Sequence, residues 1–431
     1  MLSSRYRFKF VRCPLYGFIG LSNRENRLLN TIAMQRLSRI KQLSHTYVVY
    51  PSAVHTRFEH SLGTLHLADR VCDQLDFSKK ERTVVRIAAL LHDVGQGPFS
   101  HVWDEPMRWI NGEDYRHEDV TRLIIEFDTE IGRALGNLRS KVLEVFTEDT
   151  LSSDVISGNL DVDKMDYLRR DSFHTGVAYG LFDLERIIRT LCRVSEVGRD
   201  YLAVLEKGKD ALESYRLARH AMHMQVYGHH ARIIADDMFT KAIKFALREG
   251  CLTEEDLRIS DDPTAFISRF LKLDDFSIQH KILETSTGVA KDLIQDIRNR
   301  KLLKRAFKVP LTKECVNNAL LRKKLARMNG DDLENAEQEI ATEIGIDSAY
   351  VVVHLQSIEI KLYESFEQTL RKKDKDIFVV GKGGEISLLE EESPISASHD
   401  PVRRLYVFCP EKYTKKAREI AEDKFKVKSV L

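Results

Sequence analysis

Cysteine is sparse in this chain. Its six residues, Cys13, Cys72, Cys192, Cys251, Cys315 and Cys409, stand far apart among 431. No two form a CxxC pair, so neither a disulfide framework nor a cysteine-built zinc site is expected, and the thiols read as small hydrophobes of a cytoplasmic protein. A surplus of charge of either sign is also missing. The formal net charge is +1, which argues against a surface built to coat nucleic acid, though a local basic pocket stays compatible with it. No run of about 18 apolar residues occurs, so no membrane span is expected. The basic opening segment, residues 1–10, lacks the apolar stretch of a signal peptide. What remains, 43% hydrophobic and 31% charged residues, is the make-up of a globular protein with a large core or two to three domains.

Helical spacing dominates the first 305 residues. Leu28, Leu29, Ile32, Leu37 and Ile40 mark one buried face over 25–45, and a short β-like run follows at 47–50, stopped by Pro51. Helices are expected at 60–75 and 81–92, with a break at 95–98, then at 117–127, 130–146, 150–156, 163–171 and 183–193. One long helix is expected from about 210 to 248, and further helices at 253–258, 263–272 and 276–299. After about residue 305 the character changes. Runs rich in β-branched and apolar residues stand at 350–353, 357–362, 377–380, 386–389 and 405–408, and Gly381-Lys382-Gly383-Gly384 reads as a hairpin loop between two of them. A helix then runs from Pro410 to about Phe425. The expected fold is mainly α: a helical body over 1–305 and a small α+β region over 306–431.

Chemistry concentrates at a few polar residues. His92-Asp93 ends the apolar run Ile87-Ala88-Ala89-Leu90-Leu91. Two good ligands at the end of a buried helix are costly to desolvate unless something compensates them, and a metal ion is the natural compensation. His60, after Arg57-Phe58-Glu59, His101 shortly beyond the pair, and Asp161-Val162-Asp163 stand out beside it. Imidazole nitrogen with carboxylate oxygen suits Fe, Mn, Zn or Ni and accepts Mg. On an octahedral ion, four protein ligands leave two positions for water and a phosphate oxygen. Asp163, Tyr167 and Asp171 are four apart and share a helical face, and His223 and Tyr227 repeat the spacing further on.

The order His60…His92-Asp93…Asp163 resembles the H…HD…D signature of HD-domain phosphohydrolases. Three longer strings resemble the deoxynucleoside triphosphate triphosphohydrolases of that superfamily, both the vertebrate members that add a sterile-alpha-motif domain and their prokaryotic relatives. They are Arg57-Phe58-Glu59-His60-Ser61-Leu62-Gly63, the stretch from His92-Asp93-Val94-Gly95 through Gln96 to His101, and the stretch from Asp161 to Asp171. The resemblance covers roughly residues 12–305 and implies a helical HD-domain core. It implies hydrolysis of a dNTP to deoxynucleoside and inorganic triphosphate, with His60, His92, Asp93 and Asp163 as metal ligands. It places His101 beside the α-phosphate and makes His117, with Glu118 and Asp104 near it, the acid for the leaving 5′-oxygen. Arg57, Lys164 and Arg219 match phosphate-binding cations. Gln42 and Leu43 match the pair that reads the 3′-hydroxyl and crowds the 2′ position, and Tyr167, Asp171, His223 and Tyr227 match the sugar and base wall. It further implies a homo-oligomer, dimer or tetramer, with the C-terminal region in an oligomerisation or regulatory role, and an activating nucleotide whose phosphates would meet the basic run Arg298 to Arg305.

The chain departs from the family's pattern at several places. Gln96 stands where a histidine is usual, and it can donate a hydrogen bond but neither a positive charge nor a proton. Cys13-Pro14-Leu15-Tyr16-Gly17 replaces Asp-Pro-x-His-Gly, and Asn30 replaces an aspartate that reads an activating guanine. Two other readings therefore stand beside the first: an HD phosphohydrolase acting on another nucleotide or a nucleic-acid phosphate ester, or a catalytically weak nucleotide sensor, the reading that Gln96 favours.

Overall fold

The computed structural model describes residues 9–196, 198–358, 377–389 and 402–431. The chain is mainly α with small sheets, as expected. It divides into two compact units. The first comprises Met1–Met222, Glu254–Ile278 and Leu362–Ser398; the second comprises His223–Thr253, Gln279–Lys361 and His399–Leu431.

Three helices of the first unit carry the metal-ligand candidates. The Lys79–Leu91 helix starts at a capping box, in which Ser78 Oγ accepts the Glu81 N–H and the Glu81 carboxylate accepts the Ser78 N–H. Its apolar stripe, Val84, Val85 and Ile87 through Leu91, is buried and packs along the Arg57–Gln74 helix. The third helix, Val162–Thr175, is capped by Asp161 and ends at Gly176, whose φ of +75° is the left-handed stop that glycine provides. It too packs on Arg57–Gln74. Gly63 sets how closely: a Cβ there would lie 1.9 Å from Asp166 Oδ1 and 2.3 Å from Arg170 Nη2.

The first unit is not all-helical. Lys9–Cys13 (β1) and Gly17–Leu21 (β2) form an antiparallel hairpin. Leu191–Glu196 (β3) pairs antiparallel with Arg199–Leu205 (β4), so the helix expected over 183–193 stops at Thr190. The reason is in the pairing: Val194, Tyr201 and Ala203 bury one face of the hairpin, Leu191 and Val204 pair on the other, and Gly198 turns between the strands at φ +80°. Phe378–Val380 (β7) and Ile386–Leu388 (β8) form the expected hairpin, and β7 adds in parallel to β4. Val194, Tyr201, Ala203, Phe378 and Leu388 share a small core.

Other expectations shift locally. The β-like run at 47–50 lies instead in a 3-10 turn, Ser44–Val48, because its N–H groups bond to carbonyls three and four residues back. The helix over 25–45 breaks into Asn23–Leu29 and Ile32–Arg36, where Thr31 recaps the chain. The long helix over 210–248 is likewise interrupted: Lys209–Met222 passes into a π segment, His223–Tyr227, and helix resumes at His230–Arg248.

In the second unit, Lys304–Pro310 (β5) and Val352–Ile358 (β6) flank Val402–Cys409 (β9) in an antiparallel sheet ordered β5-β9-β6. Leu405 through Cys409 are buried without alternation, as befits a central strand. Phe307, Val309, Val353, Leu405 and Val407 form a core with Ile340 and Ala341 of the Gly330–Ile344 helix and Ala417 and Ala421 of Thr414–Phe425. The strands expected at 350–353 and 357–362 prove to be parts of β6; residues 359–362 lie outside the described residues. Among the described residues, no helix is long and apolar enough to cross a membrane.

Candidate active site

His60 Nε2 lies 2.9 Å from Asp163 Oδ1, 3.2 Å from His92 Nε2 and 3.7 Å from Asp93 Oδ2. His92 Nε2 is 3.6 Å from Asp163 Oδ1 and 3.5 Å from Asp93 Oδ1. Neighbouring ligands held about 2.1 Å from one ion are separated by about 3.0–3.4 Å, and the observed spacings bracket those edges. The outer ring nitrogens are already committed. His60 Nδ1 meets Asp166 Oδ2 at 2.8 Å, and His92 Nδ1 meets the Ala89 carbonyl at 2.8 Å. A carboxylate and a carbonyl only accept, so each Nδ1 carries a proton and each Nε2 is the nitrogen left to bind a cation. Asp166 is held in turn by Arg170, through Nε at 2.8 Å and Nη2 at 2.9 Å.

In the protein alone, protons balance this charge. Burial by itself lowers the His60 pKa, but Asp163 and Asp166 outweigh it and push it up to about 10. Burial would raise both Asp163 and Asp93, yet His60 and His92 hold Asp163 well below the usual carboxylate range, and Arg57 with the same imidazoles does so for Asp93. One buried and one largely buried imidazole facing two ionised carboxylates suit a divalent cation. His60, His92 and Asp93 form a group that could hold one, and Asp163 adds a fourth oxygen.

A second cluster involves the segment that follows. Gly95 lets the turn after His92-Asp93 pass against the His117–Phe127 helix, since a Cβ there would lie 2.3 Å from the Thr121 nitrogen. Thr121 Oγ1 accepts the Gly95 N–H and donates to the His92 carbonyl. Phe99 and Ser100 then adopt positive φ, 56° and 57°, which costs about 1–3 kcal/mol each unless the surroundings enforce it. Asp275 accepts the Phe99 N–H at 2.6 Å, and Ser100 Oγ donates to the Lys41 carbonyl at 2.7 Å. Beyond this turn, Asp104 Oδ2 sits 3.2 Å from His101 Nδ1 and 3.4 Å from His117 Nδ1, with Glu118 Oε2 3.6 Å from His117. Burial lowers the His117 pKa, but Asp104 and Glu118 outweigh it, so the imidazole stays protonated above its ordinary value.

The remaining expected residues are placed less uniformly. Arg57 is buried, with Nη1 on Asp93 Oδ2 at 2.8 Å and Nε on Ser100 Oγ at 2.9 Å. Lys164 Nζ bonds Asp161 Oδ2 at 2.6 Å and the Gly158 carbonyl. Tyr167 and Arg219 bond through their side chains. Gln42 and Leu43 are buried beside His55, whose carbonyl accepts the Gln42 N–H. Asp171 Oδ1 meets His55 Nε2 at 2.8 Å, and His55 stacks on His174. His223 and Tyr227 belong to the second unit, where their rings meet edge to face. Gln96 is buried, its amide 3.5 Å from Asp93 Oδ1 and its carbonyl accepting from Arg36. Asp166, Arg170, His55, Thr121 and Asp275 were not singled out from sequence. Of these, only the Asp166–Arg170 pair carried a local signal, opposite charges four apart on one helix.

A model of the HD domain matches residues 57–170, and a model of the HD associated region matches residues 182–430. The chain belongs to the HD-domain family. An uncharacterized protein of Methanocaldococcus jannaschii is 31% identical over 424 residues, covering 95% of this chain and 81% of that protein. The deoxynucleoside triphosphate triphosphohydrolase SAMHD1 homolog of Dictyostelium discoideum is 31% identical over 337 residues, 70% of this chain and 60% of that protein. A crystal structure of a phosphohydrolase from Bacteroides thetaiotaomicron, 26% identical, superposes with a TM-score of 0.74 over 93% of this chain and 99% of that one. In this HD phosphohydrolase, His60, His92 and Asp93, the group that could hold a divalent metal, lie within the residues that the HD-domain model matches.

Proposed function

We propose that this protein is a metal-dependent dNTP triphosphohydrolase, converting a dNTP and water to a deoxynucleoside and inorganic triphosphate. The observation that carries the reading is the cluster of His101, Asp104 and His117 beside the ligand group: Arg57 joins the two, with Nη1 on Asp93 Oδ2 at 2.8 Å and Nε on Ser100 Oγ, next to His101, at 2.9 Å. A cation held by His60, His92, Asp93 and Asp163 would supply Lewis acidity toward a phosphate oxygen. His117, whose proton Asp104 and Glu118 favour, hands it to the 5′-oxygen as the oxygen of the attacking water bonds to the α-phosphorus and the bond from that phosphorus to the 5′-oxygen breaks. His101 faces the α-phosphate. Lys164 and Arg219 take up charge on the triphosphate chain, and Arg57 re-pairs from Asp93 toward a phosphate oxygen. Gln42 and Leu43 read the sugar from one side, with Tyr167 and Asp171 on another; His223 and Tyr227 are assigned to the base by the resemblance alone. The kinship with the Dictyostelium enzyme supports the choice of nucleotide.

In this reading the chain works in the cytoplasm as a dimer or tetramer. Residues 306–431 serve assembly or regulation, and an activating nucleotide meets the basic run from Arg298 to Arg305. The resident ion is one of Fe, Mn, Ni, Zn or Mg. The test is to incubate the protein with Mn²⁺, Mg²⁺ or Fe²⁺ and each dNTP, singly and mixed, and to resolve products by ion-pair chromatography. Deoxynucleoside with intact triphosphate is expected. Phosphate or pyrophosphate release would instead point to another phosphate ester as substrate. No turnover by metal-loaded protein would favour a sensing role, with Gln96→His as the variant that restores the usual histidine.

A further inference from the structure

We propose that His101, Asp104 and His117 form a second divalent-cation site, separate from the His60-His92-Asp93-Asp163 group and selective for borderline cations such as Zn²⁺. Three observations carry it. The two imidazoles present the same nitrogen, Nδ1, to one carboxylate oxygen at 3.2 and 3.4 Å, and all three candidate ligand atoms lie within 4.8 Å of one another. Those spacings are edges of a coordination shell with ligands about 2.1 Å from the ion. Asp104 is only 6% exposed, and its other oxygen, Oδ1, is buried with no hydrogen-bond partner. A buried carboxylate oxygen left unpaired is costly, and a cation that Asp104 bound through both of its oxygens would offset that cost. Finally, the site is open on one side: the His101 side chain is 62% exposed, leaving room for water, and Glu118 Oε2, 3.6 Å from His117 Nδ1, is within reach as a further ligand.

The donor set decides the ion. Two imidazoles and one carboxylate favour Zn²⁺ or Ni²⁺ over Mg²⁺, which prefers all-oxygen shells and keeps its waters. The same lone pairs cannot hold a cation and carry protons. Each Nδ1 needs its proton to bond Asp104, so cation binding expels it, and occupancy weakens as the pH falls. If the trio supplies the proton as proposed above, a cation there silences it, and excess Zn²⁺ stops turnover while the first site remains filled. That consequence rests on the proposed function; the existence of the site does not.

The experiment is equilibrium dialysis of the full chain against excess Zn²⁺ at about pH 7.5, with bound zinc per chain counted by elemental analysis. The wild-type protein is expected to hold one zinc more than Asp104→Asn and one more than His101→Ala. The latter changes an exposed side chain, so it keeps the comparison sound if the buried substitution unfolds the protein. Equal zinc content in the wild type and His101→Ala overturns the proposal, whatever products the enzyme makes from nucleotides.

Discussion

At the scale of the residue, the candidate metal ligands were legible because their cost is local: a histidine and an aspartate ending a buried apolar helix demand compensation. Their supports were not legible, because they come from elsewhere in the chain. Asp166 reaches His60 across 106 positions, and His55 reaches Asp171 across 116. Asp166 fixes the His60 tautomer, so Asp166→Asn should weaken metal affinity about 10–100-fold while leaving the four ligands in place. Competition with a chelator measures this, and unchanged affinity would remove Asp166 from the site. His117 gives a pH prediction. A general acid works while protonated, and the His117 pKa lies above its ordinary 6.5 because Asp104 and Glu118 outweigh burial. Turnover should therefore persist to higher pH than an ordinary imidazole would allow and fall as the pH rises past that raised value. Asp104→Asn should move the fall to lower pH and His117→Ala should cut turnover sharply, with metal retained in the four-ligand group in both. A kcat profile unmoved by Asp104→Asn would exclude the pair as the acid.

At the scale of the element, the helices that carry the site were read well: helical spacing marks Arg57–Gln74, and in Lys79–Leu91 and Val162–Thr175 an N-terminal cap agrees with it. Shorter elements were read less well. The β3–β4 hairpin follows directly on a helix, and a few apolar residues there fit either period; only pairing across Gly198 decides. The break after Met222 had no proline to announce it. The strained turn at Phe99 and Ser100 was legible only as a helix break, since the groups that enforce it, Asp275 and Lys41, lie far away in sequence. Gly63 shows what helix packing requires. Gly63→Ala would push a methyl into Asp166 and Arg170, so stability should fall by about 1–3 kcal/mol, read as a lower Tm, with loss of bound metal as the two helices separate. An alanine variant with the parent's Tm and metal content would show that the contact is slack.

At the scale of the whole molecule, the mainly α character and the small mixed C-terminal region follow from composition and period along the chain. The partnership of β7–β8 with β4 does not, because a parallel pairing between residues some 175 positions apart leaves no local mark. Membership of the HD-domain family joins both scales: one family model covers the residues of the candidate ligand group, and another spans most of the remaining chain to its end. The central claim is that one cation, held by two histidines and two aspartates, drives hydrolysis in this protein. It is tested most directly by measuring bound transition metal per chain and nucleotide turnover together in the wild type and in His92→Ala/Asp93→Ala. The account predicts that the double variant, folded by circular dichroism, loses the metal of the four-ligand group and all turnover. A folded double variant that still hydrolyses its substrate at the parent's rate would contradict it.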